Sequence, residues 1–229
     1  MTLYETIFKR RSVRKYDKTP LPAEVLSGIK NHIDQTAPLD GCGAKFEIVC
    51  GSCVNDDKAP HYILAFCGAD IKQYINVGYM LQKTDLYLQS MGLGSVWLGM
   101  AKPKKDKENY CIMLAFGKTD APYREISEFK RLPLGEISNA DNAVANAARL
   151  APSAVNSQPW KLNFSEGKVK IDYYGRGLLK ALLRKKKSPI DIGIITRHAE
   201  LALLQEGKTI KSIIPDGNDK NFSAEIQYE

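Results

Sequence analysis

Three short stretches of the chain carry side chains and backbone fit for chemistry. Arg10-Arg11-Ser12-Val13-Arg14-Lys15-Tyr16 places three guanidiniums and a hydroxyl within five residues. Guanidiniums offer forked donors and serine a short hydrogen bond, a set suited to a phosphate. Such a cluster also occurs as plain solvated surface. Ala151-Pro152-Ser153-Ala154-Val155-Asn156-Ser157-Gln158-Pro159-Trp160 is rich in backbone donors and acceptors and adds two side-chain amides. An amide both donates and accepts, as the edge of a planar heterocycle requires; Pro and Asn also simply stop helices and make turns. Met91-Gly92-Leu93-Gly94-Ser95-Val96-Trp97-Leu98-Gly99-Met100 has closely spaced glycines that let a flat ring approach the backbone. It fails as a dinucleotide fingerprint, because Trp97 stands where a third glycine is needed and the helix precedes the strand.

Other residues offer less. Cys50-Gly51-Ser52-Cys53 is a lone C-x-x-C among five cysteines, Cys42, Cys50, Cys53, Cys67 and Cys111. The odd number, without a secretion signal, argues for free thiols. No second ligand pair lies at zinc spacing, and a redox dithiol wants a following helix where this chain has Asn55 and Asp56. The pair therefore reads as structural. His32, His61 and His198 are scattered and read as surface or packing histidines.

The elements that must position these stretches follow from periodicity. Thr2 to Lys9 and Ala23 to Ile33 read as helices, the second started by Pro22. Phe46 to Val49 and Tyr62 to Phe66 read as strands. Ile71 to Met91 is a long helix capped by Gly92; Ser95 to Leu98 is extended, and Cys111 to Gly117 is a buried central strand. Tyr123 to Asn139 is irregular. Ala140 to Leu150 is a helix, Lys161 to Phe164 and Val169 to Tyr173 a hairpin, Ile190 to Gln205 a second long helix, and Ile210 to Ile214 and Ala224 to Tyr228 strands. The order helix, strands, long helix, strands thus occurs twice, weakly at the residue level. The predicted halves are 1–139 and 140–229, packed as one body.

With 229 residues, 44% hydrophobic and 26% charged, the chain suits one large domain or two intimate halves. Wholesale disorder and collagen-like repeats are excluded. No apolar run approaches the ~18 residues of a membrane span, and the first residues lack a signal-peptide pattern, so no membrane and a cytoplasmic location are expected. The net charge of +7 fits a basic surface or an anionic ligand. No recognised nucleic-acid motif accompanies it, so no nucleic-acid partner is expected.

Taken in order, these stretches resemble the nitroreductase family. Arg10 to Tyr16, with Pro20-Leu21-Pro22 behind it, resembles that family's amino-terminal phosphate motif. Ala151 to Trp160 resembles its flavin loop, Leu88 to Met100 its helix into Gly-Leu-Gly strand, and Lys130-Arg131-Leu132-Pro133 its late basic motif. One departure matters. The family's Pro-Ser loop follows the arginine motif by a few tens of residues, and there this chain has Gln35-Thr36-Ala37-Pro38-Leu39-Asp40-Gly41, without the asparagine, glutamine and tryptophan. The loop comes only in the second half, which has no Arg-Arg-Ser of its own.

The resemblance implies an α+β fold of mixed or antiparallel sheets flanked by helices, and FMN as cofactor. Typical members are homodimers with FMN at the interface, one subunit giving the arginine motif and the other the Pro-Ser loop. This chain is therefore expected to be a fused pseudo-dimer with one composite FMN site, working as a monomer or weak homodimer. By resemblance, Arg10, Ser12 and Arg14 hold the phosphate, Arg11 through its backbone, with Arg131 as a further cation late in the first half. Pro152, Ser153, Ala154 and Asn156 line the flavin, Gln158 and Trp160 brace the loop, and Leu98, Gly99 and Met100 pass the ring edge. The family's ring-edge amide and lysine are not recognisable; Ser52 or Asn55 would have to replace them. The implied activity is hydride transfer from NAD(P)H through the flavin to an electron-poor small molecule, a nitro compound or quinone, with no catalytic side chain required. A flavin-binding protein without turnover is the alternative. Alanine at Arg10 and Arg14 is expected to release FMN and leave the fold intact.

Overall fold

The computed structural model describes all 229 residues except Asp40, Asp57 and Leu179. Helix α1, Leu3–Ile7, begins at a reciprocal cap in which Thr2 and Glu5 satisfy each other's backbone donors. Helix α2, Ala23–Asp34, starts after Pro22. Strands β1, Lys45–Cys50, and β2, His61–Phe66, precede the long helix α3, Ile71–Ser90. Strands β3, Gly94–Leu98, and β4, Tyr110–Gly117, follow. Next come the short helices α4, Leu134–Ile137, and α5, Ala143–Arg149, and the hairpin of β5, Trp160–Ser165, and β6, Lys168–Tyr173. Helices α6, Lys180–Arg184, and α7, Lys187–Gln205, lead to strands β7, Ile210–Gly217, and β8, Phe222–Tyr228.

The sheets show the repeat. The first has strand order β1-β2-β4-β3 and the second β5-β6-β8-β7, and every pairing is antiparallel. In each, a long helix joins the second strand to the third. This is the α+β fold of antiparallel sheets flanked by helices that the sequence predicts.

The compact units do not follow chain order. One unit comprises Met1–Ala37, Ala44–Gly68 and Lys83–Glu128; the other comprises Pro38–Gly43, Ala69–Gln82 and Phe129–Glu229. The strand order repeats once along the chain, whereas the second compact unit also takes Pro38–Gly43, Ala69–Gln82 and the residues from Phe129 onward out of the expected first half 1–139.

In the first unit both central strands are buried along their length, β2 in all six residues and β4 from Cys111 onward. One face packs Tyr62, Leu64, Met113 and Ala115 against Val13, Tyr16, Val54 and Val96. In the second unit the sheet has one wet face. Trp160, Leu162, Val169, Ile171, Ala224 and Ile226 are buried, while Lys161, Asn163, Lys168 and Lys170 alternate with them outward. Helix α7 covers the buried face, packing on β6, β7 and β8.

The second unit also holds the first part of α3 against α7. A Cβ added at Gly78 would lie 2.0 Å from the Ile190 carbonyl oxygen, and one at Gly193 would lie 1.8 Å from that of Ile75. Both positions therefore require glycine for the helices to pass this closely. Beside this crossing, the Tyr79 hydroxyl donates to Glu200 at 2.9 Å, and Arg197 pairs with Glu200 and lies 3.5 Å over the Tyr79 ring.

Candidate functional site

In the first unit, α1 ends and the chain enters the arginine motif with the Arg10 amide donating to the Thr6 carbonyl. The Arg10 side chain turns inward and is fully buried. Its Nε donates to Asp85 Oδ2 of α3 at 3.1 Å. Asp85 Oδ1 accepts from Ser95 Oγ and from Gln89 Nε2. Gln89 Oε1 in turn accepts the Arg11 amide at 2.8 Å. This buried network fixes the register of the motif, because each member satisfies another and none faces water. A second tie comes from Arg124, whose Nε donates to the Arg10 carbonyl at 2.8 Å; burial and the neighbouring Arg10 push its ionisation down to about 10.

Ser12 forms a parallel bridge with Ser95, and the Val13 amide donates to the Ser95 carbonyl at 2.9 Å. Strand β3 therefore starts beside Ser12 and ends at Leu98, followed by exposed Gly99 and Met100. From Ser95 to Leu98 is three residues, about 10 Å of strand. Arg11 is half-buried, with Nη1 donating to the Tyr123 carbonyl at 3.3 Å, and Arg14 and Lys15 are exposed.

In the second unit, the loop Pro152 to Trp160 is held in a backbone shape that L-residues rarely adopt. Val155, Asn156 and Gln158 have φ of 49°, 56° and 48°. Such conformations persist only where the surroundings over-determine them, and here they do. Asn156 Oδ1 accepts from Arg131 Nη1 at 2.7 Å, and Asn156 Nδ2 donates to the Lys130 carbonyl at 2.8 Å. Gln158 Oε1 accepts the Leu132 amide at 2.9 Å, and the Gln158 amide donates to Ser153 Oγ at 2.9 Å. The Ala154 amide donates to Asp191 Oδ1 of α7 at 3.0 Å. Full burial holds the Asp191 carboxyl well above the usual carboxylate range, the Ala154 amide and Lys187 offsetting this only in part. Trp160, which ends the loop, is fully buried, while Val155 is exposed.

The predicted residues thus fall in two groups. Arg10, Arg11, Ser12, Arg14, Leu98, Gly99 and Met100 share the first unit. Pro152, Ser153, Ala154, Asn156, Gln158 and Arg131 share the second. Arg131, expected as a cation late in the first half, belongs with the Pro-Ser loop, and its Nη2 also donates to the Leu150 carbonyl at 3.0 Å. One expectation is corrected. Arg10 is an interior ion-pair partner, so its removal takes the counter-charge from buried Asp85 and will not leave the fold untouched. Gln35 to Gly41 includes Asp40, which lies outside the described residues; nearby, the Leu39 amide donates to Asn76 Oδ1 at 2.8 Å.

The histidines take packing roles. His61 Nε2 accepts the Leu21 amide at 2.9 Å, and burial lowers its basicity. His32 stacks on Tyr87 with ring centroids 3.9 Å apart, and Gln82 meets buried His198 at 3.2 Å. Sequence reasoning missed Asp85, Gln89, Ser95, Arg124 and Asp191. The signal available for the first two was a carboxylate and an amide one turn apart on an otherwise apolar stretch of α3.

No cluster of three or more metal-ligating side chains occurs among the described residues, and no helix among them is long and apolar enough to cross a membrane. No curated protein matches the chain. A solved structure from Thermotoga maritima, described as a putative nitroreductase, is similar over 99% of this chain and 94% of its own, at 20% identity and a TM-score of 0.73. A structure from Desulfovibrio desulfuricans, described as a putative nitroreductase in complex with FMN, matches 62% of this chain and 98% of its own, at 17% identity and a TM-score of 0.46. A nitroreductase family protein from Clostridium difficile 630 matches 62% and 100%, at 20% identity and a TM-score of 0.48. The family model described as Putative TM nitroreductase matches residues 2–203, and the chain belongs to that family.

Proposed function

We propose that this chain is an FMN-dependent oxidoreductase of nitroreductase type, taking hydride from NAD(P)H and passing it to an electron-poor small molecule. The observation that carries the reading is strand β3. It sets Ser12 beside Ser95 at one end and delivers Leu98, Gly99 and Met100 at the other, about 10 Å on. That spacing suits a cofactor whose phosphate and ring are separated by a five-carbon chain.

The residues present fit FMN on a second ground. Arg10 Nη2 is buried with no hydrogen-bond partner. A buried guanidinium nitrogen left without an acceptor costs free energy, and a phosphate oxygen would complete it. Arg10, the Arg11 backbone, Ser12 and Arg14 would hold the phosphate, with Arg131 as the further cation. Pro152, Ser153, Ala154 and Asn156 would line the flavin, and Gln158 would brace their loop. A backbone N–H of Leu98, Gly99 or Met100 would donate to the ring edge. FMN, when bound, supplies acceptance of hydride and its release to a second substrate. The protein's part is to orient the ring and tune it through these donors. The phosphate motif occurs once and the Pro-Ser loop once, which supports one flavin per chain without a second copy.

The test is the purified protein. A flavin absorbance spectrum, one FMN per chain after dialysis, and bleaching by NADH or NADPH are expected. Colourless protein that takes up no added FMN overturns the reading. Flavin that neither nicotinamide reduces leaves binding without turnover as the function.

A further inference from the structure

Strand β1 ends at Cys50, paired in register with His61, and the chain then makes a 3-10 turn over Gly51–Cys53. The turn is pinned on two sides. The Gly51 amide donates to the Pro60 carbonyl at 2.9 Å, and the Cys53 carbonyl accepts the Lys104 amide at 2.9 Å. Val54 bridges to Pro103, and Asn55 exchanges two hydrogen bonds with Lys102. Cys50 and Cys53 are both free and both exposed, and their sulfurs meet at 3.4 Å.

We propose that Cys50 and Cys53 form a redox-active dithiol that closes reversibly to a disulfide by exchange with small-molecule disulfides. A disulfide bond is ~2.05 Å long. With the backbone pinned, a rotation of the two side chains closes the remaining gap. The sequence objection was the lack of a following helix; the anchored turn brings the sulfurs together without one.

Cys50 is the attacking group. Its sulfur lies 2.9 Å from Ser52 Oγ and 3.4 Å from the Cys53 sulfur. Hydrogen bonding from these two lowers the Cys50 thiol below its usual range. The thiolate is the reactive form. The segment bonded to the turn brings exposed Lys102 and Lys104, which favours a thiolate and an anionic disulfide such as glutathione disulfide.

The chemistry balances without the flavin. The Cys50 thiolate attacks one sulfur of the oxidant, forms a mixed disulfide and expels the first thiolate. The Cys53 thiol loses its proton to that thiolate or to water and attacks the Cys50 sulfur. The second thiolate leaves and is protonated. Two protein thiols are oxidised by two electrons, and one disulfide is reduced to two thiols.

The experiment equilibrates the whole protein in buffers of varied reduced and oxidised glutathione, quenches with acid and alkylates with N-ethylmaleimide. Mass spectrometry then follows the tryptic peptide Phe46 to Lys58, which holds Cys50 and Cys53 and no other cysteine. Both labels should vanish together. The change from one-tenth to nine-tenths oxidised should span about an eightyfold range of squared reduced over oxidised glutathione concentration, as a two-electron couple requires, and a reductant should restore both labels. The Cys53→Ser variant should trap glutathione on Cys50. The Cys50→Ser variant should leave Cys53 unmodified. Retention of both labels in every buffer, or a lasting glutathione adduct on the unaltered protein, overturns the proposal. Flavin content and turnover do not enter these readouts, so this proposal and the FMN assignment stand or fall separately.

Discussion

Asn76 on α3 and Asp191 on α7 occupy matching places in the two repeats, and each holds a loop by one backbone amide. Asn76 Oδ1 takes Leu39 and Asp191 Oδ1 takes Ala154. The match runs along both helices at one constant offset. Ile75-Asn76-Val77-Gly78 corresponds to Ile190-Asp191-Ile192-Gly193, Asp85-Leu86 to Glu200-Leu201, and Gly92 to Gly207. Both helices end alike. Gly92 and Gly207 have φ of 80° and 74°, and Leu93 and Lys208 donate back to Leu88 and Leu203. Around this shared frame the halves have diverged in what they keep. The first retains the arginine motif and a loop without the asparagine, glutamine and tryptophan; the second retains the full Pro-Ser loop and no arginine motif. Scaffold positions are common to both halves, whereas the ligand-type residues are divided between them.

The largest expected effect is at Arg10, where the two halves solve one problem differently. Asp85 draws its guanidinium from the arginine motif, while the matching Glu200 draws its own from Arg197 on the same helix and adds the Tyr79 hydroxyl. Arg10→Ala should cost about 3–5 kcal/mol, because a buried carboxylate loses its counter-charge. Urea denaturation measures this. Adding Asp85→Asn to the variant should recover part of the loss, since the amide carbonyl still accepts from Gln89 and Ser95. Arg14→Ala, at an exposed position, should leave stability unchanged and weaken FMN retention on dialysis. Equal destabilisation by Arg10→Ala and Arg14→Ala would contradict the network.

Gly193 comes next. Gly193→Ala drives a Cβ into the Ile75 carbonyl, and about 3 kcal/mol or more of destabilisation is expected. Gly28 in α2 is the control, because a Cβ there meets nothing within 4 Å. Gly28→Ala should stabilise by about 0.5–1 kcal/mol through helix propensity. Similar thermal shifts at the two sites would refute the close helix crossing.

Asp191 separates the halves by pH. Its folded ionisation is raised above the unfolded carboxylate value of about 4. Above that value the native state holds more protons than the unfolded chain, so stability falls with rising pH until Asp191 ionises in the folded state. Asn76 has no such dependence. Asp191→Asn should keep the Ala154 bond, remove this slope and stabilise the protein by about 1–3 kcal/mol at neutral pH. Denaturation midpoints of both proteins across pH 3 to 8 should coincide at the acid end and diverge upward. Parallel curves would remove burial of the carboxyl as the cause.

Much of this frame was legible in the sequence. Apolar runs and periodicity locate both long helices and, among the described residues, all eight strands: β5 and β6 alternate, whereas β2 and β4 are continuous apolar runs buried along their length. The expected strand ends at Ile214, yet β7 continues through Pro215 to Gly217. It is an edge strand, where a missing donor is tolerated. Helix α6 is not expected from the sequence, because it is only five residues long and runs into a lysine-rich stretch. The repeat looked weak because β1 and β2 are joined by a ten-residue connection and β5 and β6 by two residues, which hides the common offset until the helices are aligned. The sequence assigns Arg10 to a phosphate and gives no sign of its ion pair, because the partner Asp85 lies 75 residues along the chain. Local composition carries no sign of which helix face a distant segment will meet.

The smallest expected effect tests whether the second-half loop is held by its bonds or by its backbone shape. Asn156 makes two side-chain hydrogen bonds and sits at φ of 56°. Asn156→Ala loses both bonds and keeps the strained conformation, which alanine tolerates less well than asparagine. About 1–2 kcal/mol of local stability should go, together with roughly a tenfold loss in FMN affinity. Asn156→Gly loses the same bonds but accepts positive φ freely. If conformation dominates, the glycine variant retains flavin better than the alanine variant. If the ties to Lys130 and Arg131 dominate, the two lose flavin alike, because neither can stop the loop from leaving the segment that holds it. Flavin fluorescence on titration with FMN distinguishes these outcomes, and it does so at a position where the first-half loop has Gly41 and no counterpart amide.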